Sequence, residues 1–215
     1  IKMHIERKTQ DSVIVMALKM PLRLIHLSGV LIAETLRRIY GVVIARPVMW
    51  SLCNGGRRLK MERIPYIRGR GRILLGSNVY ISGKIGIAFS LHASAVPELR
   101  IGEHVFIGHN CAFAMAERIS IGRHCLIGAG TRIQDNDGHP LDAESRRKRL
   151  PVRSDNVKPV AIGNNVWIAP NCIILKGVNI GDNAVIGAGS VVTKNVPENS
   201  IAVGSPAAVV RTIES

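Results

Sequence analysis

Residues 162–192 read IGNNVWIAPNCIILKGVNIGDNAVIGAGSVV, and an aliphatic residue recurs there at every sixth position. These residues are Ile162, Ile168, Ile174, Ile180, Ile186 and Val192. A period of six fits neither the 3.6-residue period of an α-helix nor the two-residue alternation of a strand. It fits short strands joined by tight turns, which send every aliphatic side chain into one continuous core. The stretch therefore predicts an all-β solenoid.

The same spacing recurs upstream in three further groups of three. They are Leu75/Ile81/Ile87, Ile101/Ile107/Phe113 and Ile121/Ile127/Ile133. If three hexads form one triangular coil, the chain has five such coils, the last two at 162/168/174 and 180/186/192. All residues in excess of the period then fall between the third position of one coil and the first position of the next. Insertions confined to one corner of a solenoid usually mark its functional side.

A second column of residues follows three positions after the first aliphatic residue of each coil. It consists of Asn78, His104, His124, Asn165 and Asn183. Asn and His tolerate the left-handed backbone region, so the column is predicted to lie in turns. His104, His109 and His124 could also suggest a zinc site, as in carbonic anhydrases built on hexad repeats. The shared position with Asn favours the structural interpretation, and we expect no metal.

The positive charge of the chain is concentrated near its N-terminus. Residues 1–72 carry a net charge of +11, and residues 73–215 carry +3. Such a basic segment can bind anionic lipid, an acidic glycan or nucleic acid. Because no nucleic-acid-binding motif accompanies it, no nucleic-acid partner is expected. The four cysteines form no CxxC pair, which predicts a reducing cytoplasmic environment without disulfides.

A helix is predicted from Pro21 to about Ala45. Its apolar positions share one face, with the basic and acidic residues opposite. The apolar face comprises Ile25, Gly29, Ile32, Leu36, Ile39 and Val43, and the polar face Arg23, Glu34, Arg37 and Arg38. Three mid-span charges exclude a transmembrane helix, since each costs roughly 2.5–3.5 kcal/mol at the bilayer centre. Two interpretations remain open: peripheral contact with an anionic membrane, or packing on the solenoid or on another subunit.

These patterns divide the chain into two parts. Residues 1–72 form a basic N-terminal extension, of which 46–72 are a connector, and residues 73–211 form the solenoid. Residues 134–161 contain three prolines and no aliphatic period, so they form a loop. Residues 195–211 leave the hexad pattern and close the last coil.

The long loop contains His139, a candidate general base. An imidazole titrates near neutrality, so it can take a proton from an alcohol or amine and return it. Four nearby carboxylates could hold the ring in the required tautomer, namely Asp135, Asp137, Asp142 and Glu144. A solvated loop histidine is the alternative interpretation.

Taken together, these residues resemble the hexapeptide-repeat acyltransferases. The resemblance rests on the hexads, the Gly-His-Pro-Leu of the loop, the segment NNVWIAPNCIILKGVNIGDNAVIGAGSVVTKNVPENSIAVGSPA (164–207) and Arg211. It covers roughly residues 73–211, and the most similar branch contains galactoside, maltose and nodulation-factor O-acetyltransferases. It implies a left-handed parallel β-helix, a homotrimer, and acetyl-CoA in the groove between neighbouring prisms. It also implies direct transfer with His139 as general base, without a covalent acyl-enzyme.

The resemblance further implies binding residues. Asn110 and Trp167 match acceptor-site positions. The alternative interpretation of Asn110 is a turn residue, and that of Trp167 is a core residue. Asp137 is a third substrate-binding candidate. The positions that match a CoA groove are Ala169, Ala188, Gly189, Thr193, Lys194 and Arg211. Ala208 stands where a lysine is common in the family. The basic run 146–149 either compensates for that lysine or is simply solvated.

The resemblance therefore implies an acetyl-CoA-dependent O-acetyltransferase that acts on a sugar hydroxyl. Cell-surface polysaccharide or glycolipid biosynthesis is the expected process, with a saccharide or lipid-linked saccharide as acceptor. The expected location is the cytoplasm, at the inner face of the plasma membrane if the helix binds lipid. The alternatives are a sugar-amine N-acetyltransferase, an antibiotic acetyltransferase and a non-enzymatic trimeric scaffold.

Overall fold

The computed structural model describes residues 27–93 and 95–214, which fall into two compact units. In the first unit, residues 27–40 are helical. The second unit begins with a π-helix, Gly41–Ala45, followed by α1 (Arg46–Leu52). The predicted N-terminal helix is thus confirmed from residue 27 onward, and its first residues lie outside the described range. Helical structure continues past Ala45 to Leu52, where the sequence predicted a connector.

The helical residues 27–40 expose their apolar side chains. Ile32, Leu36 and Ile39 are each more than half exposed. On the polar face, Arg37 Nη1 donates to Glu34 Oε2 over 2.8 Å. Among the described residues, no helix combines the length and the apolar character that crossing a bilayer requires.

In the described residues of the second unit there are twenty short strands, which form three sheets. The first sheet holds β1 (Asn54–Gly55), β4 (Arg72–Leu75), β7 (Glu98–Ile101), β10 (Arg118–Ile121), β13 (Val160–Ile162) and β16 (Asn179–Ile180). The second holds β2 (Lys60–Met61), β5 (Tyr80–Ile81), β8 (Phe106–Ile107), β11 (Leu126–Ile127), β14 (Trp167–Ile168), β17 (Val185–Ile186), β19 (Ser200–Gly204) and β20 (Ala207–Thr212). The third holds β3 (Tyr66–Arg68), β6 (Gly86–Phe89), β9 (Ala112–Met115), β12 (Arg132–Gln134), β15 (Ile173–Ile174) and β18 (Val191–Val192).

The fold is the left-handed parallel β-helix that the resemblance implied. Strands β1 to β18 visit the three sheets in turn, and every strand up to β19 pairs in parallel with the strand one coil away. The predicted register is confirmed throughout: Leu75 pairs with Ile101, Ile127 with Ile168, and Ile174 with Val192. The inward aliphatic side chains are buried, and each stabilises the fold by about 1.5–3 kcal/mol.

The solenoid begins earlier than the predicted start at Ile73. Strands β1, β2 and β3 form a complete coil, because Gly55, Met61 and Ile67 pair with Leu75, Ile81 and Ile87. These three residues are also six apart, but the first has no side chain, which hid the period. Gly55 is required there, since its φ is +96° and an added Cβ would lie 2.2 Å from the carbonyl oxygen of Leu75.

The predicted column of turn residues is confirmed. All of its members have left-handed backbone, with φ between 54° and 61°. Their side chains form a ladder along one corner: the rings of His104 and His124 stack with centroids 4.9 Å apart, and Asn165 Nδ2 donates to Asn183 Oδ1 over 3.2 Å. The described residues contain no group of three or more His, Cys, Asp or Glu side chains placed to hold a metal ion. The ladder supports the structural interpretation of the two stacked histidines.

The insertions leave the prism at the predicted corner, between the third and first sheets. The longest one contains α2 (Ala143–Arg147) and a 3-10 helix, Ser154–Asn156. We call residues 134–161 the flap. At the C-terminal end, Val196 bridges to Ile180 and Ala202 pairs with Ile186, so a partial further coil, which the sequence analysis did not predict, follows the last predicted one. Strand β20 then turns back antiparallel to β19 and closes the prism.

Candidate active site

The flap is fastened to the prism by Asp135, its second residue. The Asp135 carboxylate is fully buried and accepts hydrogen bonds from the backbone amides of Ala116, Glu117 and Arg118 over 2.7–2.8 Å. It thereby satisfies the backbone donors of the turn between β9 and β10. At the other end of the flap, Lys158 N donates to the carbonyl oxygen of Asp135 over 2.8 Å. Both ends of the flap are therefore held at one residue.

Local hydrogen bonds shape the segment that presents His139. Asn136 Nδ2 donates to Asp135 Oδ1, and Asn136 Oδ1 accepts from Gly138 N, each over 2.8 Å. Gly138 has a φ of +76°, a conformation that suits glycine. On the far side, Arg146 Nη1 donates to the carbonyl oxygens of Pro140 and Leu141. The backbone on either side of the imidazole is thus held in a defined shape.

The four carboxylates that could orient His139 all have other partners. Asp135 binds the turn amides, and Asp137 forms an ion pair with Lys176. Asp142 caps α2 by accepting from Ser145 N over 2.7 Å, and this hydrogen bond lowers its pKa. Glu144 pairs with Lys148 over 2.7 Å. Among the described residues, none of the four is hydrogen-bonded to the His139 ring, so the orienting role of one of them stays a prediction.

His139 is exposed and faces a cleft of about 630 Å³. The cleft lies between the flap and residues 88–92, which end β6 and begin the insertion that follows it at the same corner. Ala88 and Ala114 belong to its lining and are paired in adjacent strands of the third sheet. Their small outward side chains leave room above the sheet. The corner that the insertions marked in the sequence is therefore where the cleft forms.

Three residues at this site escaped the sequence analysis. Arg68 and His92 line the cleft, and Lys176 pairs with Asp137. Arg68 is the neighbour of Ala88 in the paired strands β3 and β6, so the missed first coil concealed it. His92 lies in the insertion after the third hexad of its coil. Since insertions at that corner were expected to mark the functional side, the sequence could have indicated this residue. Nothing in the hexad pattern singles out Lys176.

The predicted acceptor residues lie on other faces of the chain. Trp167 is 51% exposed on the outer side of the second sheet, between Leu126 and Val185 in neighbouring strands. The core-filling interpretation of this indole is therefore wrong. Asn110 is exposed, with a left-handed φ of 58°, as its alternative interpretation as a turn residue requires.

The predicted CoA residues lie near the C-terminal end of the prism. Ala169 and Ala188 occupy turns after the second sheet in neighbouring coils, and Gly189 N donates to Pro170 O over 2.9 Å. Gly189 has a φ of +69° and open space where a Cβ would stand. The cations that could meet phosphates are exposed, Lys194 after β18 and Arg211 on β20. The small residues and exposed cations fit a pantetheine arm and its phosphates, but they do not line the His139 cleft.

Three of the four cysteines are unsuited to nucleophilic catalysis. Cys111, Cys125 and Cys172 are buried, and each Sγ lies 3.0–3.2 Å from a glycine carbonyl oxygen of the next coil. Burial raises the pKa of all three thiols, to about 11 for Cys111 and Cys125. Because the thiolate is the reactive form, these residues are inert at neutral pH.

Two segments of the chain match known repeat families. Residues 159–194 match the model described as bacterial transferase hexapeptide (six repeats). Residues 98–134 match the hexapeptide repeat of succinyl-transferase. The chain is also 33% identical over 139 residues to the galactoside O-acetyltransferase of Escherichia coli (strain K12), an alignment that covers 65% of this chain and 63% of that protein. The chain spans between about half and two thirds of the length of the curated relatives that it matches.

Solved structures show the same architecture. The polysialic acid O-acetyltransferase OatWY is 30% identical, with a TM-score of 0.58 and 74% of each chain covered. A galactoside acetyltransferase in complex with coenzyme A is 26% identical, with a TM-score of 0.53, and the match covers 86% of this chain and 80% of that one.

Proposed function

Because this chain belongs to the hexapeptide-repeat acyltransferases, we propose that it transfers an acetyl group from acetyl-CoA to a sugar hydroxyl, with His139 as general base. The observation that carries this proposal is an exposed imidazole held on a fastened flap beside an open cleft. The solved galactoside acetyltransferase in complex with coenzyme A and the polysialic acid O-acetyltransferase support the donor and the hydroxyl acceptor.

In this mechanism His139 takes the proton from the acceptor hydroxyl as its oxygen attacks the thioester carbonyl carbon. Backbone N–H groups of the groove stabilise the resulting oxyanion. When the carbon–sulfur bond breaks, the thiolate leaves and receives the proton from the imidazolium. The neutral, buried cysteine thiols favour this direct transfer over an acyl-enzyme.

A homotrimer is part of this proposal. The CoA candidates Lys194 and Arg211 do not line the His139 cleft of their own chain, and a homotrimer would bring them to the His139 of a neighbouring copy. The outer face of the second sheet supports association, since it carries exposed Leu126 and Trp167 and the edge-to-face pair Tyr80–Phe106, with ring centroids 5.3 Å apart. Large exposed apolar patches mark interaction surfaces.

Membrane association is a further part of the proposal. The exposed apolar side chains of residues 27–40 and the net charge of +11 over residues 1–72 are the properties of a helix that lies on anionic lipid. Such a location, at the cytoplasmic face of the membrane, suits a lipid-linked saccharide in polysaccharide or glycolipid assembly. Deletion of residues 1–40 is expected to abolish co-sedimentation with phosphatidylserine vesicles, and unchanged co-sedimentation would remove the membrane from the proposal.

A thiol-release assay with acetyl-CoA and a panel of sugars tests the reaction. Loss of a general base costs about 10²–10⁴-fold in rate, so we expect that loss for His139→Ala. His104→Asn is the matched control, because that turn position holds Asn in other coils. Comparable turnover by His139→Ala contradicts the general-base role and favours a scaffold. Preference for amino sugars or aminoglycosides over hydroxyl acceptors favours the N-acetyltransferase or antibiotic alternatives.

A further inference from the structure

The charge of the His139 cleft is one-sided. Three arginines and two histidines line it, namely Arg68, Arg146, Arg149, His92 and His139. No aspartate or glutamate of residues 27–93 or 95–214 belongs to its lining. A site for a neutral sugar has no need of such an imbalance, because hydroxyl groups both donate and accept hydrogen bonds.

The arginines reach the cleft from different parts of the fold. Arg68 stands on β3 next to Ala88 in the third sheet, and Arg149 follows α2 in the flap, with a left-handed φ of 54°. Arg146 has a separate task, since its guanidinium holds the carbonyl oxygens of Pro140 and Leu141 beside His139. Two guanidinium groups, one on the prism and one on the flap, therefore remain to recognise a ligand.

Nearby cations differ from these two in their partners. Arg72 and Arg100 both pair with Glu98, and Lys148, the neighbour of Arg149 in sequence, pairs with Glu144. Within the part of the chain that the structure describes, neither Arg68 nor Arg149 forms an ion pair with a carboxylate. Among the described residues, Arg68 and Arg149 therefore lack the carboxylate partner that Arg72, Arg100 and Lys148 have.

We propose that the acceptor is an anionic saccharide, whose carboxylate or phosphate binds Arg68 and Arg149 while its hydroxyl meets His139. This inference rests on the proposed acetyl transfer. Guanidinium groups match both anions with paired, charge-assisted hydrogen bonds. The anion sits beside the acceptor hydroxyl, so it positions that oxygen against the imidazole. A uronic acid and a sugar phosphate offer the same chemistry, and the experiment separates them.

The test compares matched acceptors in the thiol-release assay. The pairs are glucose with glucuronate, galactose with galacturonate, and glucose with glucose 1-phosphate. Since a charged hydrogen bond contributes about 1.5–3 kcal/mol, we expect at least about a tenfold higher kcat/KM for an anionic member. The carboxylate and phosphate pairs show which anion is preferred. Equal kcat/KM for neutral and anionic members overturns the inference and leaves the proposed transfer intact.

Variants of the arginines assign the effect to the cleft. Arg68→Gln and Arg149→Gln are expected to remove about tenfold of the kcat/KM for the anionic acceptor, with little change for the neutral one. Arg153→Gln is the matched control: it removes the same charge from an exposed side chain of the flap that lies outside the basic run and does not line the cleft. An equal loss in all three variants would show a general charge effect and refute recognition by these two arginines.

Direct binding separates this inference from the proposed function. Saturation-transfer NMR with glucuronate, glucose 1-phosphate and glucose reports binding whether or not transfer occurs. Selective binding of an anionic sugar that Arg149→Gln abolishes, with no thiol release from any acceptor, supports the site and contradicts the enzyme. No preference for anions in either assay contradicts the site.

Discussion

The carboxylate of Asp135 accepts a hydrogen bond from the backbone amide of Arg118 over 2.8 Å, although seventeen residues separate them in the chain. The same carboxylate accepts from the two preceding amides and is fully buried. It joins the root of the flap to the turn one coil below. The position of His139 therefore depends on a residue that does not touch the proposed substrate.

Asp135→Asn should destabilise the fold by about 2–3 kcal/mol, because an amide nitrogen would face backbone donors in a buried position. Chemical denaturation measures the loss. Glu144→Gln is the control, since its exposed pair with Lys148 contributes only about 0.3–0.5 kcal/mol. We also expect kcat to fall with KM little changed, because the flap would hold His139 less firmly. Full stability and kcat in the variant would mean that the flap has another anchor.

Asp137 and Lys176 should act as a unit. Their ion pair is about three-quarters buried on both sides, so the single variants Asp137→Ala and Lys176→Ala should change stability and kcat/KM by similar amounts. The double variant should cost less than the sum of the two, as coupled partners do. A KM increase for the acceptor confined to Asp137→Ala would instead support the predicted substrate-binding role of this carboxylate.

Trp167 should report the binding of CoA, because it lies two residues before Ala169, one of the positions predicted to line the CoA groove. The chain has two tryptophans, and the other, Trp50, donates from Nε1 to Gly56 O over 3.1 Å and stacks under Arg46. We expect CoA to change the fluorescence of Trp50→Phe, which retains only Trp167, and not that of Trp167→Phe. Because Trp167 is half exposed, Trp167→Phe should leave the fold largely intact. A CoA response that persists in Trp167→Phe would place the donor elsewhere.

The turn at His124 should tolerate Asn but not alanine. His124 has a φ of 59°, and a left-handed conformation costs an ordinary L-residue about 1–2 kcal/mol. His124→Asn should therefore stay within about 0.5 kcal/mol of the wild type, as surface substitutions usually do. His124→Ala should lose about 1–2 kcal/mol of stability, and unfolding of both variants in urea measures the difference. If both are equally unstable, ring stacking with His104 rather than backbone conformation sets the preference.

The buried thiols should weaken the fold at alkaline pH. The pKa of Cys111 and Cys125 is raised to about 11 from 9.0 by burial. The unfolded chain therefore loses these protons first as pH rises above 9. Stability is fully present below pH 9 and falls by up to about 2–3 kcal/mol per thiol by pH 11. The free energy of unfolding of Cys111→Ala and Cys125→Ala, measured between pH 8 and 10.5, should fall less steeply than that of the wild type. Parallel curves would exclude the thiols as the cause.

The accuracy of the sequence prediction followed the strength of the local signal. The stacking of Ile121 on Ile162 was predictable across the whole flap, because a period of six sends the side chain inward whatever the intervening loop does. The first coil was missed because Gly55 has no side chain to mark the period. The core-filling alternative for Trp167 is wrong, and the sequence carried the signal against it: Trp167 directly precedes the inward Ile168, and successive side chains of a strand point to opposite sides.

The sequence by itself determined the three-sided coil, the register of its strands, the turn column and the corner from which His139 emerges. Each of these follows from a repeated short-range pattern, which fixes the direction of a side chain relative to its own backbone. Only the tertiary structure decided that Asp135 anchors the flap, that Asp137 meets Lys176, and that Arg68 and Arg149 share a cleft. Those contacts join residues in different coils, and a periodic sequence does not encode which polar side chains meet across them.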